Sequence, residues 1–232
     1  MNKLFLIPTP ISDTEDFFSF FDSKAWCDVR VFFVEEEKSA RRFLKNIIPD
    51  IPLSECRFFL LNEHTSSEQL KKDFQSVLGK DIAVLSEAGC PCVADPGAAL
   101  VLLAHQHDMT VLPFIGPSSI LLALMGSGLN GQRFAFHGYL PKEKIARIKK
   151  IKELENHSFL DDETQIFMET PYRNSSLFED ILASCSSETY LSIASDILGA
   201  NQWIKTQHIK EWRRQNKVLP KRPTIFSIYK KQ

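Results

Sequence analysis

An α/β fold built on a largely parallel sheet is predicted by three observations. The run Ile82-Ala83-Val84-Leu85 stops abruptly at Ser86-Glu87-Ala88-Gly89, which marks a buried strand delivering a turn at its carboxyl end. A second run, Met109 to Phe114, ends in the same way at Gly116-Pro117-Ser118-Ser119. Upstream of both, strand and helix signals alternate at the spacing of βα units, which pair parallel strands. In open sheets of this kind, ligands sit outside the carboxyl ends of the strands, where both glycine turns fall.

Taken in order, Lys3 to Ile7 is the first strand, and Pro8-Thr9-Pro10 ends it, because proline cannot donate to a ladder. Asp13 or Thr14 can cap a helix carrying Phe17, Phe18, Phe20 and Phe21, expected in core and interface packing. Val29 to Val34 is the second strand, opening through Glu35-Glu36-Glu37-Lys38 into a helix with Arg41, Arg42 and Leu44. Cys56 to Leu61 is the third, closed by Asn62-Glu63-His64, and a helix from Ser67 to Leu78 returns to the Ile82 strand. A helix from Ala98 to His107 links the two glycine turns. Past Ser119 a helix runs through Leu121, Leu122, Leu124 and Met125 to Gly126-Ser127-Gly128. Phe134 to His137 is then a strand, followed by a lysine-rich amphipathic helix. Thr164 to Met168, Tyr190 to Ala194 and Thr224 to Tyr229 are the remaining strands. Strand signal gives way to Gly-Pro near Phe114 to Pro117, so two α/β domains are expected, 1–115 and 116–232.

Composition bounds the function. At 232 residues, with 44% hydrophobic and 25% charged residues, the chain suits one large or two modest globular domains. No segment has the length and apolarity of a membrane span, and the N-terminus reaches Pro8 too soon for a signal peptide, so the cytoplasm is the expected compartment. Five cysteines without framework spacing fit reduced thiols. The net charge of -1 hides an asymmetry: residues 1–116 hold 11 Lys and Arg against 17 Asp and Glu, the remainder 17 against 12. The basic excess, in Lys142 to Lys152 and Lys205 to Lys231, fits either solvated helix faces or a polyanion surface.

Six motifs in order carry a resemblance: PTPI near the N-terminus, SEAGCPCVADPG, PFIGPSS, GSGL, FHGYLP and ETPYR. Together they resemble the tetrapyrrole methylase superfamily, the class III S-adenosylmethionine-dependent methyltransferases, from Leu4 to about Leu182. Within it the likeness is nearest to the ribosomal RNA methyltransferase I group, whose members modify the 2′-hydroxyl of a cytidine in 16S ribosomal RNA. The resemblance implies two α/β domains of the tetrapyrrole methylase type, a cofactor cleft between them, and a homodimer. It implies S-adenosyl-L-methionine contacts from Pro8, from Ala88, Gly89, Ala94 and Asp95, from Ser118 and Ser119, from Met168 by position, and from Tyr172 beside it.

The chemistry of that cofactor can be stated independently. A sulfonium with an amino-acid tail and an adenosine needs close backbone approach and amide partners, which small residues permit. Methyl transfer is an in-line displacement, so alignment supplies much of the rate. A hydroxyl acceptor is a poor nucleophile at neutral pH and profits from a base within hydrogen-bond reach. Glu87, Glu36, His64 and Glu169, each at a predicted strand end, are the candidates, unranked by sequence.

Plainer readings stand beside these. Gly89 and Gly97 can serve only to turn the chain, and Asp95 before Pro96 can be a turn initiator. Glu35-Glu36-Glu37 can be a solvated helix start favoured by the dipole. His105 and His107 lie two apart on a helix and face different ways, and Cys90 and Cys92 lack a second pair, so no metal is expected. The chain also departs from the ribosomal RNA group, reading PTPISD for PIGN, Glu35-Glu36-Glu37-Lys38 for an acidic-acidic-Thr-Arg signature and Thr170-Pro171-Tyr172-Arg173 for SPHR, and it ends soon after Thr224-Ile225-Phe226. The acceptor is therefore ribosomal RNA or a small molecule such as a tetrapyrrole, and a non-catalytic cofactor-binding protein is the third reading. A broad basic rim from Lys142 to Lys152 favours RNA, and a deep apolar cleft favours a small acceptor.

Overall fold

Alternation of side chains across short apolar strands builds a sheet buried on both faces in the first half of the chain. The computed structural model describes residues 2–12, 23–215 and 217–231, so the helix expected over Phe17, Phe18, Phe20 and Phe21 lies outside them. The chain divides into two compact units, Met1–Ser118 and Ser119–Gln232.

The first unit runs β1 (Lys3–Ile7), β2 (Val31–Val34), α1 (Glu37–Ile47), β3 (Arg57–Leu60), α2 (Ser67–Gln75), β4 (Ile82–Leu85), α3 (Ala98–Gln106) and β5 (Thr110–Pro113). All its strands are parallel, in the order β3-β2-β4-β1-β5. Every residue of β2 and β4 is buried. Because successive side chains point to opposite faces, Phe32, Val34, Ala83 and Leu85 pack with Phe43 and Leu44 of α1. Val31, Phe33, Ile82 and Val84 pack on the other face with Leu70 and Phe74 of α2 and Leu100 and Ala104 of α3. Each such large apolar side chain contributes about 1.5–3 kcal/mol by leaving water. The central strands are thereby fixed, and their carboxyl ends become a rigid edge.

The second unit runs α4 (Ser119–Ser127), β6 (Phe134–Tyr139), α5 (Lys144–Asp161), β7 (Thr164–Glu169), α6 (Asn174–Ser184), β8 (Tyr190–Ser195), β9 (Trp203–His208), α7 (Ile209–Trp212) and β10 (Thr224–Tyr229). Here the sheet is mixed, unlike the parallel sheet of the first unit. Only β6 and β7, joined through the helical crossover α5, pair in parallel; β10 lies antiparallel to both β7 and β8, and β9 antiparallel to β8. The reason is connection length: the loop 196–202 between β8 and β9 is too short for the crossover of a dozen or more residues that parallel pairing requires. Strand β9 had no counterpart in the sequence reading, because Trp203-Ile204-Lys205-Thr206-Gln207-His208 mixes polarity at a sheet edge.

Helix α5, the lysine-rich helix of the sequence, runs to Asp161. Buried polar residues tie it down. Arg147 donates to Asp180 Oδ2 from Nε at 2.8 Å and NH2 at 2.6 Å. Glu155 accepts from Ser186 N at 2.7 Å and from Thr189 Oγ1. The apolar core below joins Ile151 and Leu154 of α5, Leu177 and Phe178 of α6, Phe167, Phe226 and Trp212, while α4 covers β8, β9 and β10.

Candidate functional site

Adjacent strands β4 and β1 release their chains side by side at the carboxyl edge of the first sheet, and the two turns are bonded to each other. Thr9 N donates to Gly89 O at 3.0 Å and Gly89 N to Thr9 O at 3.0 Å, a two-residue antiparallel bridge beyond the parallel ladder. Ser86 Oγ, also buried, donates to Gly89 O at 2.5 Å and lies 3.3 Å from Thr9 Oγ1.

The glycine at the crossing is required twice over. Gly89 has φ +82°, which costs an L side chain about 1–2 kcal/mol. A Cβ there would also lie 3.1 Å from Pro117 O and 3.2 Å from Ile11 Cγ2. Three turns, after β1, β4 and β5, therefore meet around one residue. Gly116 performs the neighbouring packing role: a Cβ on it would come within 2.1 Å of Pro8 Cβ. Pro8 is accordingly buried against the third turn.

The loop from Cys90 to Gly97 holds two non-glycine residues in the left-handed region, Cys92 at φ 68° and Ala94 at φ 60°. Such conformations persist only where the surroundings impose them. Asp95 imposes them here, its Oδ1 accepting from Cys92 N and Gly97 N, both at 2.7 Å. Burial pushes the Asp95 carboxyl above its usual value, while those two backbone donors pull it back. Cys92 is pushed up to about 12 by burial and by the adjacent Asp95, which keeps it a thiol. Ala88 and Ala94 are exposed, leaving the loop backbone open on its outer side.

Acidic side chains gather next to this loop. Glu35, after β2, accepts from Glu87 N at 3.3 Å, and Glu87 accepts from Ser39 Oγ at 2.5 Å. The Glu35 carboxyl is raised chiefly by partial burial and further by Asp95 and Glu87, with the Glu87 N–H opposing. Glu36 caps α1, its carboxylate accepting from Lys38 N at 3.0 Å, and Glu37 pairs with Arg41. The structure thus brings Pro8, Glu36, Glu87, Ala88, Gly89, Ala94 and Asp95 to one sheet edge. His64 lies at the end of the outer strand β3, exposed, with Nε2 3.6 Å from Glu63.

Ser118 closes the first unit, and Ser119 is the first residue of α4 in the second. Also in the second unit, half-buried Met168 pairs with Ile225 and Tyr139 near the end of β7. Glu169 is fully enclosed, accepting from Thr170 N at 2.6 Å and from Arg173 NH2 at 2.5 Å. Tyr172 is 83% exposed. Sequence reasoning missed Thr9, Ser86, Ser39 and Glu35. Thr9 and Ser86 carried a signal, as hydroxyls immediately after two buried strands; Ser39 carried none. Among the described residues no group of three His, Cys, Asp or Glu side chains is placed to hold a metal.

Comparison with known proteins adds the following. No family model matches the chain. The Ribosomal RNA small subunit methyltransferase I of Buchnera aphidicola is 28% identical over 232 residues, covering 97% of this chain and 78% of its own. Among solved structures, a diphthine synthase superposes with a TM-score of 0.62 at 14% identity, over 97% of this chain and 89% of that one. A uroporphyrin-III C-methyltransferase from Thermus thermophilus, complexed with S-adenosyl homocysteine, gives 0.53 at 12% identity, over 99% and 98%.

Proposed function

The chain has the tetrapyrrole methylase fold and is a homologue of ribosomal RNA small subunit methyltransferase I, and on that premise we propose that it is an S-adenosylmethionine-dependent methyltransferase acting on the 2′-hydroxyl of a cytidine in 16S ribosomal RNA. The observation that carries this is a likeness spread over 97% of the chain to a relative named for ribosomal RNA. The tetrapyrrole reading draws on structures at 12% identity, which speak for the fold, and is not favoured.

The edge built around Gly89 suits the cofactor. Its loop offers open backbone at Ala88 and Ala94, and Asp95 spends one carboxylate oxygen on the loop, leaving Oδ2 for a hydrogen-bond donor of the ligand. Pro8, Ala88, Gly89, Ala94 and Asp95 of the first unit hold the cofactor, with Ser118 at its end. When bound, S-adenosylmethionine supplies a methyl on a positively charged leaving group. What the chain must add is orientation and, for a hydroxyl acceptor, a proton acceptor.

Glu87 is assigned that second role. It lies exposed on the glycine turn itself, with Oε1 accepting from Ser39 Oγ, whereas Glu36 lies off that turn, capping the start of α1, and Glu169 is sealed against a guanidinium. His64 lies in the turn beyond the outer strand β3. Titration of the protein with S-adenosylhomocysteine by calorimetry tests the cofactor assignment: heat with saturation at one site is expected, and no heat at millimolar ligand would end it. The superfamily resemblance supports a homodimer, checked by light scattering, and a ribosomal RNA substrate supports a cytoplasmic location. Among the described residues no helix is long and apolar enough to cross a membrane.

A further inference from the structure

Tyr172 is a large aromatic that the second unit leaves in solvent, 83% exposed on the turn between β7 and α6. Its mount is rigid. Arg173 N donates to Thr170 O at 2.9 Å across the turn, and the enclosed Glu169 carboxylate grips both ends, accepting from Thr170 N and Arg173 NH2. The adjacent turn carrying Lys221 is bolted to the same frame. Arg222 N donates to Pro220 O at 2.9 Å, and buried Asn174, first residue of α6, donates from Nδ2 to Pro220 O at 3.2 Å and Arg222 O at 2.8 Å. Lys221 Nζ consequently stands 5.6 Å from the Tyr172 ring centroid.

A buried ion pair contributes little net stability but fixes geometry, so the frame reads as an investment in where the tyrosine and lysine are held. The surrounding stretch repeats the theme. Residues 213–222 contain Arg213, Arg214, Lys217, Lys221 and Arg222 without an acid, Arg222 being paired with Asp196 from outside the stretch, and Lys217 Nζ lies 3.4 Å from the ring centroid of half-buried Trp203. An exposed aromatic face with cations about it matches single-stranded nucleic acid, in which bases stack and phosphates attract. A ring held in place before binding loses little conformational freedom on contact.

We propose that Tyr172 is a stacking platform for an unpaired base of the RNA acceptor, with Lys221 beside it contacting the adjoining phosphate; this rests on the reading of the acceptor as RNA. The role is binding and register, separate from methyl transfer. Because the Tyr172 side chain buries little, its replacement leaves folding intact, which a thermal melt verifies.

The test is fluorescence anisotropy of the full chain with a labelled short single-stranded oligoribonucleotide and with the same sequence as a duplex. Tyr172→Ala is expected to weaken single-strand binding roughly tenfold and to leave duplex binding unchanged, while Tyr172→Phe binds as wild type. Lys221→Ala is expected to reduce the salt dependence by about one phosphate contact. Single-strand binding by Tyr172→Ala equal to wild type, or a loss in Tyr172→Phe as large as in Tyr172→Ala, would overturn the platform. S-adenosylhomocysteine titration of the same proteins separates the two ideas. Normal cofactor binding with a neutral Tyr172→Ala removes the platform alone, and absent cofactor binding with the single-strand loss intact removes the methyltransferase reading alone.

Discussion

Replacing Gly89 by alanine tests whether three turns truly converge on that residue. Two costs add. The backbone at φ +82° disfavours any Cβ by about 1–2 kcal/mol. The added carbon would sit 3.1 Å from Pro117 O and 3.2 Å from Ile11 Cγ2, and overpacking of this kind costs about 1–3 kcal/mol more. Gly79 supplies the control, having φ +87° but nothing within 4 Å of its hypothetical Cβ. Urea unfolding should therefore report a loss of about 2–5 kcal/mol for Gly89→Ala and about 1–2 kcal/mol for Gly79→Ala. Calorimetry with S-adenosylhomocysteine should show at least a tenfold loss of affinity, about 1.4 kcal/mol, in the first variant and none in the second. If the two variants lose the same stability and bind alike, the crossing at Gly89 is a plain turn and its role in the site is refuted.

Other expectations follow from the same geometry. Asp95→Ala removes the acceptor for Cys92 N and Gly97 N and should weaken cofactor binding with the fold retained, whereas Asp95→Asn keeps the loop shape. The Asp95 carboxyl is raised in the folded state, so the native protein holds more protons than the unfolded chain just above the ordinary carboxylate range. Stability should then fall as pH rises through that window, and Asp95→Asn should flatten the slope of urea midpoints against pH. Glu87→Gln should lower kcat by about 100-fold or more with cofactor affinity unchanged, and Glu36→Gln should leave kcat intact. Arg147→Met leaves the buried Asp180 carboxylate only the exposed Lys144, 3.8 Å away, and should cost about 3 kcal/mol in urea unfolding, much of it recovered when Asp180 is made apolar as well.

The first unit was legible because its information is local. Continuous apolar runs such as Val31-Phe32-Phe33-Val34 can only be buried strands in a sheet covered on both faces, and the turns after them announce its carboxyl edge. The second unit resisted because strand pairing direction is a property of connections. Nothing in Thr224-Ile225-Phe226 states that it inserts antiparallel between β7 and β8. Edge strand β9 hid for a related reason: none of its residues is fully buried, and Lys205 and Gln207 dilute the pattern.

At the site, backbone-determined features were readable and side-chain partnerships were not. Gly89, Gly116 and Asp95 stand out in the sequence as turn formers. That Glu36 is spent on a cap while Glu35 meets the Glu87 backbone depends on where α1 begins, and a run of three glutamates does not say which one faces the turn. Likewise Glu169 looked like a base at a strand end until its enclosure against Arg173 was visible.

The central claim is that this chain methylates ribosomal RNA on a ribose. Mapping 2′-O-methylation across small-subunit ribosomal RNA, from cells with and without the chain, addresses it most directly. One cytidine is predicted to lose its 2′-O-methyl group in the deletion and to regain it when the wild-type chain, but not Glu87→Gln, is restored. An identical map in both strains would contradict the account.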